Sequence, residues 1–263
     1  MLTSTFCCFS GLNESAEQRL WQQGCLSWSQ FMREPRLPFK QDKIQLTIVE
    51  IKEAQTAFNS GLYDYFITRL PSPHKVRVLF GNAARVGYLD IETTGLSRKD
   101  KITTISLLIN NDVRTFVEGR NLSEFLKYLR EIDIIVTFNG KKFDIPFIEK
   151  NFSMNLFVPQ IDLLYILKSL GCSGGLKQCE KMAGVNQRQF QDVDGKKAIQ
   201  LWQRYENEKD TSALEQLILY NIEDVLALQN LAVWAYKRSL SGYPKKITKP
   251  KMVKFEELVL PIF

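Results

Sequence analysis

The sequence predicts an α/β fold with a mixed sheet, preceded by a mainly helical layer. Three observations lead there. Apolar, β-branched runs recur at 85–92, 102–110, 113–117 and 133–138, bounded by turn residues. Helical spacing intervenes at 122–131 and resumes from Asp144, so strands and crossover helices share one stretch of chain. Before residue 80 the apolar period is close to that of a helix, and Pro71-Ser72-Pro73 separates the two regimes.

In chain order, Glu14 to Gln23 is a helical pattern ended by Gly24. Cys25 to Met32 starts a second short helix, with Ser27 or Ser29 as its cap. Pro35 and Pro38 break the chain. Ile44, Ile48, Ile51, Phe58, Leu62, Phe66 and Leu70 predict one long helix from about 43 to 69, though its β-branched start also suits a strand. Beyond the proline boundary come the four strands and the helix at 122–131. A helix then opens at Asp144, a strand or turn follows near 156–161, and the pattern from Leu163 onward is mostly helical. There is no internal repeat and no low-complexity block.

The chain has 263 residues, enough for one large or two small domains with a core. Its net charge is +6, a mild excess that suits a polyanionic partner. No apolar run is long enough to span a bilayer. The start Met1-Leu2-Thr3-Ser4-Thr5-Phe6 lacks the basic residues of a signal peptide. The cysteines are Cys7, Cys8, Cys25, Cys172 and Cys179; an odd count without a framework argues for reduced thiols and a cytoplasmic location. No Cys-x-x-Cys pair is present, which disfavours an iron–sulfur cluster. The single histidine, His74, lies outside every motif, so a zinc enzyme or a Ser-His-Asp hydrolase is a poor candidate.

The chemistry-bearing residues are carboxylates. Asp90 and Glu92 stand two apart at the end of a strand closed by Thr93-Thr94-Gly95, so they share a face. Like charges that close repel unless a cation lies between them, and hard divalent cations take oxygen ligands. Asn139-Gly140 is a turn after the strand 133–138, and Asp144 opens the next helix, where it also suits a plain N-cap. Tyr220 and Asp224 are four apart and share a helix face, while Glu223 reads as a solvated charge. Together Asp90, Glu92, Asp144 and Asp224 supply enough oxygen for two metal ions and leave room for a phosphate.

At these residues the chain resembles the DEDD 3′→5′ exonucleases of the ribonuclease H-like fold, in the subgroup with Tyr in the third motif. Phe138-Asn139-Gly140-Lys141-Lys142-Phe143-Asp144-Ile145-Pro146 is similar to the second motif of the proofreading domain of family B DNA polymerases. The whole chain resembles the bacterial YprB-like ribonuclease H-like proteins. That similarity also takes in Gly11-Leu12-Asn13, Leu20-Trp21-Gln22-Gln23-Gly24, Ile161-Asp162-Leu163, Asp194-Gly195 through Leu201-Trp202, and Tyr220-Asn221. The resemblance implies a five-stranded sheet flanked by helices, with a helical N-terminal extension at 1–80. A ribonuclease H-like exonuclease domain follows at 81–240, and a basic and apolar tail at 241–263. It implies Mg²⁺ or Mn²⁺, two ions, with Asp90, Glu92 and Asp224 on the first and Asp90 reaching the second. Asp144 would act largely through water, and Tyr220 would orient the attacking water. Thr93 and Leu96 would pack against the terminal nucleotide, and Asn139 would hold a phosphate or serve as a plain turn. Asp162 reads as a helix cap or a partner to these groups.

The implied activity is hydrolysis of single-stranded DNA or frayed 3′ ends, with RNA as an alternative substrate and DNA repair as the setting. The alternatives are a ribonuclease H-type endonuclease and a catalytically idle nucleic-acid-binding module. The Asp90–Glu92 spacing and Tyr220 favour the exonuclease. In the tail, Lys237, Arg238, Lys245, Lys246, Lys249, Lys251 and Lys254 suit either a solvated segment or phosphate contact, with Lys245 and Lys246 as candidate substrate contacts. Phe255, Leu258, Val259, Leu260 and Phe263 form an apolar end available to the body of the protein or to a protein partner.

Overall fold

A computed structural model describes residues 1–33, 37–80, 84–97, 99–186, 188–190, 192–244 and 250–260. The chain divides into two compact units, one of Met1–Ala84 with Ala235–Pro250, the other of Arg85–Trp234 with Lys251–Phe263.

The first unit is helical. Helix α1 spans Glu14–Gln22, and the Asn13 side chain caps it by accepting from the Ala16 N–H at 2.9 Å. The short α2, Trp28–Phe31, is capped in the same way by Ser27, which accepts from the Gln30 N–H. Helices α3, Gln41–Asn59, and α4, Tyr63–Arg69, stand where one long helix was expected. Gly61 takes a left-handed φ of 67°, and the Leu62 N–H returns to the Ala57 carbonyl at 2.9 Å. That arrangement ends a helix, and glycine reaches it without a Cβ penalty. The helical period runs through the break because α4 resumes only three residues later. Leu62, read as a core position, is instead exposed. Phe6, Leu20, Trp21, Trp28, Phe31, Ile51 and Phe66 are buried. Among them Arg77 donates to Glu17 at 2.6 Å, both side chains almost wholly buried, and Glu17 also accepts from the Phe6 and Cys7 N–H groups. A buried charge needs such partners. Pro35 falls outside the described residues.

The second unit is built on a five-stranded sheet of order β3-β2-β1-β4-β5. The strands are β1 Val86–Thr93, β2 Ile102–Ile109, β3 Asp112–Val117, β4 Ile134–Thr137 and β5 Gln160–Asp162. β1, β2 and β3 pair antiparallel; β4 is parallel to β1, and β5 to β4. Helix α5, Phe125–Leu129, makes the crossover from β3 to β4, preceded by a 3₁₀ turn at Leu122–Glu124. Helices α6 Asp144–Phe152, α7 Leu163–Ser169, α8 Leu176–Ala183, α9 Gly195–Glu208 and α10 Thr211–Ser239 complete the element order. Leu89, Ile91, Ile105 and Leu107 of the sheet pack with Phe116, Phe125, Ile145 and Ile148 in one apolar cluster. Within the second unit, Val253 exchanges two hydrogen bonds with Asn230, and Val259 pairs alongside Asp112 at the edge of β3. Among the described residues no helix is long and apolar enough to cross a membrane.

Candidate active site

β1 delivers the first two acids. Its register sets Asp90 opposite Ser106 and Glu92 opposite Thr104, with buried Ile91 between them pointing into the core. The alternation of the pleat therefore turns both carboxylates to the other face. A register shift after Glu92 ends the regular pairing. The loop beyond it is tied by Asp100, which accepts from the Thr94 hydroxyl at 3.1 Å and the Ser97 N–H at 2.7 Å. Leu96 is left 81% exposed on that loop. Thr93 is buried, and its hydroxyl donates to the Gly95 carbonyl at 2.6 Å.

The second motif is a turn held from behind. β4 stops at Thr137, and Asn139 adopts a left-handed φ of 61°. Gly140 follows because a Cβ there would lie 2.3 Å from the Thr137 hydroxyl oxygen. Asp162 caps α7 by accepting from the Leu164 N–H at 3.1 Å, and it also accepts from the N–H groups of Asn139 at 2.8 Å and Lys141 at 3.3 Å. One carboxylate thus joins the end of β5 to the turn that places Asp144. Asp144 is the first residue of α6 and is almost completely buried.

α10 supplies the third motif. Tyr220, Asn221, Glu223 and Asp224 are all buried. The Asn221 amide donates to Asp90 at 2.7 Å and accepts from the Thr104 hydroxyl at 3.2 Å, fixing the Asp90 rotamer from the neighbouring element. Arg188, from the connection between α8 and α9, ion-pairs with Asp224 at 2.5 Å and donates to Glu180 at 2.7 Å. Glu223 is not a solvated charge; it accepts from the N–H groups of Gln189 at 2.6 Å and Phe190 at 3.3 Å.

Oxygens of Asp90, Glu92 and Asp224 all lie within 4.8 Å of one another. Asp144 lies outside that tight group but lines the same cavity, about 590 Å³, with Asn139, Tyr220, Lys177, Lys181 and the glycines that open α8 and α9, Gly175 and Gly195. Burial, then the charges of Asp224 and Asp144, hold the carboxyls of Asp90 and Glu92 well above the usual range. Burial pushes Asp144 up to about 7. Burial raises Asp224 too, against the opposing pull of Arg188. Burial and the same acids drive the Tyr220 hydroxyl upward, so it keeps its proton. Clustered carboxylates disfavour each other's charge, and a divalent cation with oxygen preference relieves that strain. The donor set, all oxygen with no histidine or cysteine, fits Mg²⁺ or Mn²⁺.

The fold therefore brings together Asp90, Glu92, Asp144, Tyr220 and Asp224 and places Asn139 on the cavity wall. Thr93 and Leu96 are not among the residues that line it. Lys245 and Lys246 lie outside the described residues. Sequence reasoning missed the roles of Asn221, Glu180, Arg188 and Lys177. Asn221 was findable, since it sits three residues before Asp224 on one helix face. Arg188 was not, because no local spacing joins a connecting segment to α10.

The sheet order, with the acids at one end of its central strands, defines a ribonuclease H-like α/β domain. A family model described as RNase_H superfamily matches residues 87–236, and the chain belongs to that superfamily of nuclease-type hydrolases, which use divalent metal ions. Among solved structures, the chain is similar to the family B DNA polymerase from the hyperthermophilic archaeon Pyrobaculum calidifontis, with a TM-score of 0.50 and 20% identity. The match covers 63% of this chain and 27% of the polymerase, and at that identity it speaks to the fold. No curated protein matches the chain.

Proposed function

We propose that the protein is a metal-dependent 3′→5′ exonuclease acting on single-stranded DNA or frayed 3′ ends, with residues 81–240 as its catalytic portion. One observation carries the reading: three carboxylates from β1 and α10 have oxygens within 4.8 Å, on a cavity also lined by Asp144 and Tyr220. Asp90, Glu92, Asp144 and Asp224 would hold two divalent ions, which when bound supply an activated water and neutralise charge on the phosphate.

The chain's own residues do the positioning. Asn221 fixes Asp90, and Asp162 fixes the turn before Asp144. The Tyr220 hydroxyl stays protonated, so it orients the attacking water by hydrogen bonding and does not act as its base. Lys177 Nζ, which donates to the Val193 carbonyl, lies 5.3 Å from the centroid of the Tyr220 ring on the same cavity, and its charge would face a phosphate bound there.

The experiment is a metal titration of hydrolysis, with Asp90→Asn and Asp224→Asn as controls that keep shape and remove a ligand charge. Activity that vanishes in EDTA and falls by at least a hundredfold in each folded variant supports the reading. Full activity in EDTA, or an active Asp224→Asn protein, sinks it.

A further inference from the structure

Arg188 is a charged side chain in direct contact with the acid cluster, through Asp224. Its residue is 7% exposed, so its charge is taken almost wholly out of water. Its Nη2 reaches Asp224 Oδ1 at 2.5 Å while its Nε donates to Glu180 Oε2 at 2.7 Å. Glu180 is 2% exposed and lies on α8; Asp224 lies on α10. The guanidinium carbon is 5.8 Å from the centroid of the Tyr220 ring. The segment that carries Arg188 is itself fixed, because Glu223 accepts from the next two backbone N–H groups, those of Gln189 and Phe190. Two consecutive acids of α10 thus grip one short segment, Glu223 by its backbone and Asp224 by its side chain.

This has two consequences for Asp224. The guanidinium is hydrogen-bonded to Glu180 through Nε and ion-paired to Asp224 through Nη2, which draws Oδ1 of Asp224 to its side. The orientation of the Asp224 carboxylate is thereby set by Arg188. In addition, a full positive charge in contact with Asp224 weakens the field that the cluster presents to a cation, and Coulomb interactions are large in such a buried place. We infer that Arg188 is a positioning residue that sets the orientation of the Asp224 carboxylate and holds the cluster's affinity for divalent ions below its maximum. The inference rests on the exonuclease reading and deepens it. Tight binding of the ions in the resting state adds nothing to the rate; only interactions that strengthen toward the transition state do. Arg188 trades resting affinity for alignment.

Two variants separate charge from geometry. Glu180→Gln/Arg188→Gln removes both partners of the ion pair together, which avoids leaving Glu180 as an orphaned buried charge. Arg188→Lys keeps the charge but has no fork to hold two acids. Mn²⁺ binding to the metal-free full-length protein is read by the loss of the free-ion electron paramagnetic resonance signal, alongside thermal melting and steady-state kinetics. The double variant is expected to bind Mn²⁺ at least fivefold more tightly than wild type, with kcat at least tenfold lower and KM for nucleic acid little changed. Arg188→Lys is expected to bind Mn²⁺ within about twofold of wild type yet lose kcat. A merely structural residue would weaken ion binding as it weakened the fold. Mn²⁺ binding in the double variant that equals or falls below wild type overturns the inference, as does an Arg188→Lys protein with wild-type kcat. If wild type itself takes up no Mn²⁺, the exonuclease reading fails and the inference with it. If wild type does and the double variant binds no more tightly, only the role of Arg188 fails.

Discussion

At the scale of single residues, Tyr220 and Asn221 meet the acid cluster by different means. Burial, then the neighbouring acids, keep the Tyr220 hydroxyl protonated, so it has a proton to donate and no readiness to take one. Tyr220→Phe keeps the ring and its packing. It is expected to slow hydrolysis roughly ten- to hundredfold, about 1–3 kcal/mol for one oriented hydrogen bond, with melting temperature and Mn²⁺ affinity unchanged. Unchanged turnover would make the tyrosine scaffold. Asn221 acts on the ground state: its amide bridges Asp90 and Thr104, so the rotamer of the first acid depends on a residue of the last motif. The acids were legible in the sequence because period two on a strand and a four-residue step on a helix are local rules. Glu223 was misread by the same local rule: its neighbour Asp224 faces the site, yet its own partners are backbone groups 33 and 34 residues earlier.

At the scale of elements, the second motif is a strand, a left-handed residue, a glycine and a helix start, pinned by Asp162. Its weak point is Gly140, where a Cβ would sit 2.4 Å from the Thr137 Cβ. Gly140→Ala is expected to cost about 1–3 kcal/mol of stability in urea denaturation, the usual scale for forcing extra volume into a packed site, and to lower the rate by moving Asp144. Gly195→Ala, at the first position of α9, meets nothing within 4 Å and serves as the stability control. Equal stability of Gly140→Ala and wild type would show the turn to be more pliant than its contacts suggest. Strand positions were readable because their flanks alternate and their turns carry Asn, Gly or Asp. The break between α3 and α4 was not. The apolar positions keep helical phase across it, and Gly61 alone signals it. Asp162 shows the intermediate case: its cap was expected from sequence, while its bonds to the Asn139 turn depend on β4 and β5 lying side by side.

At the scale of the whole molecule, the sheet class followed from the order of strand and helix patterns, and the grouping of distant segments did not. Residues 235–250 belong with the N-terminal unit through contacts such as the edge-on rings of Trp21 and Tyr243, 4.8 Å apart, and the bond from Arg77 to the Ser239 carbonyl. No local pattern encodes such pairings. The buried acids also leave a signature in stability. Asp90, Glu92, Asp144 and Asp224 all have carboxyls raised in the folded state, Asp144 to about 7, against roughly 4 in an unfolded chain. The folded metal-free protein therefore binds more protons than the unfolded one, and its stability falls as pH rises from about 4 towards 7 and beyond. The metal-free protein is expected to melt at a lower temperature at pH 8 than at pH 6, and millimolar Mg²⁺ or Mn²⁺ at pH 8 should restore the difference by binding the folded state. A melting temperature independent of both pH and metal would mean the acids are not held together as charges.

We propose that this acid cluster removes nucleotides one at a time from a 3′ end. A 5′-labelled single-stranded oligonucleotide, incubated with the protein and Mg²⁺ or Mn²⁺ and sampled over time on a sequencing gel, tests it most directly. The expected result is a ladder that shortens from the 3′ end, is abolished by a blocked 3′ terminus, and is absent in folded Asp224→Asn. Discrete internal fragments that persist with a blocked 3′ terminus would point to endonucleolytic cleavage, and an intact oligonucleotide with both metals, on DNA and on RNA, would contradict catalysis at this site.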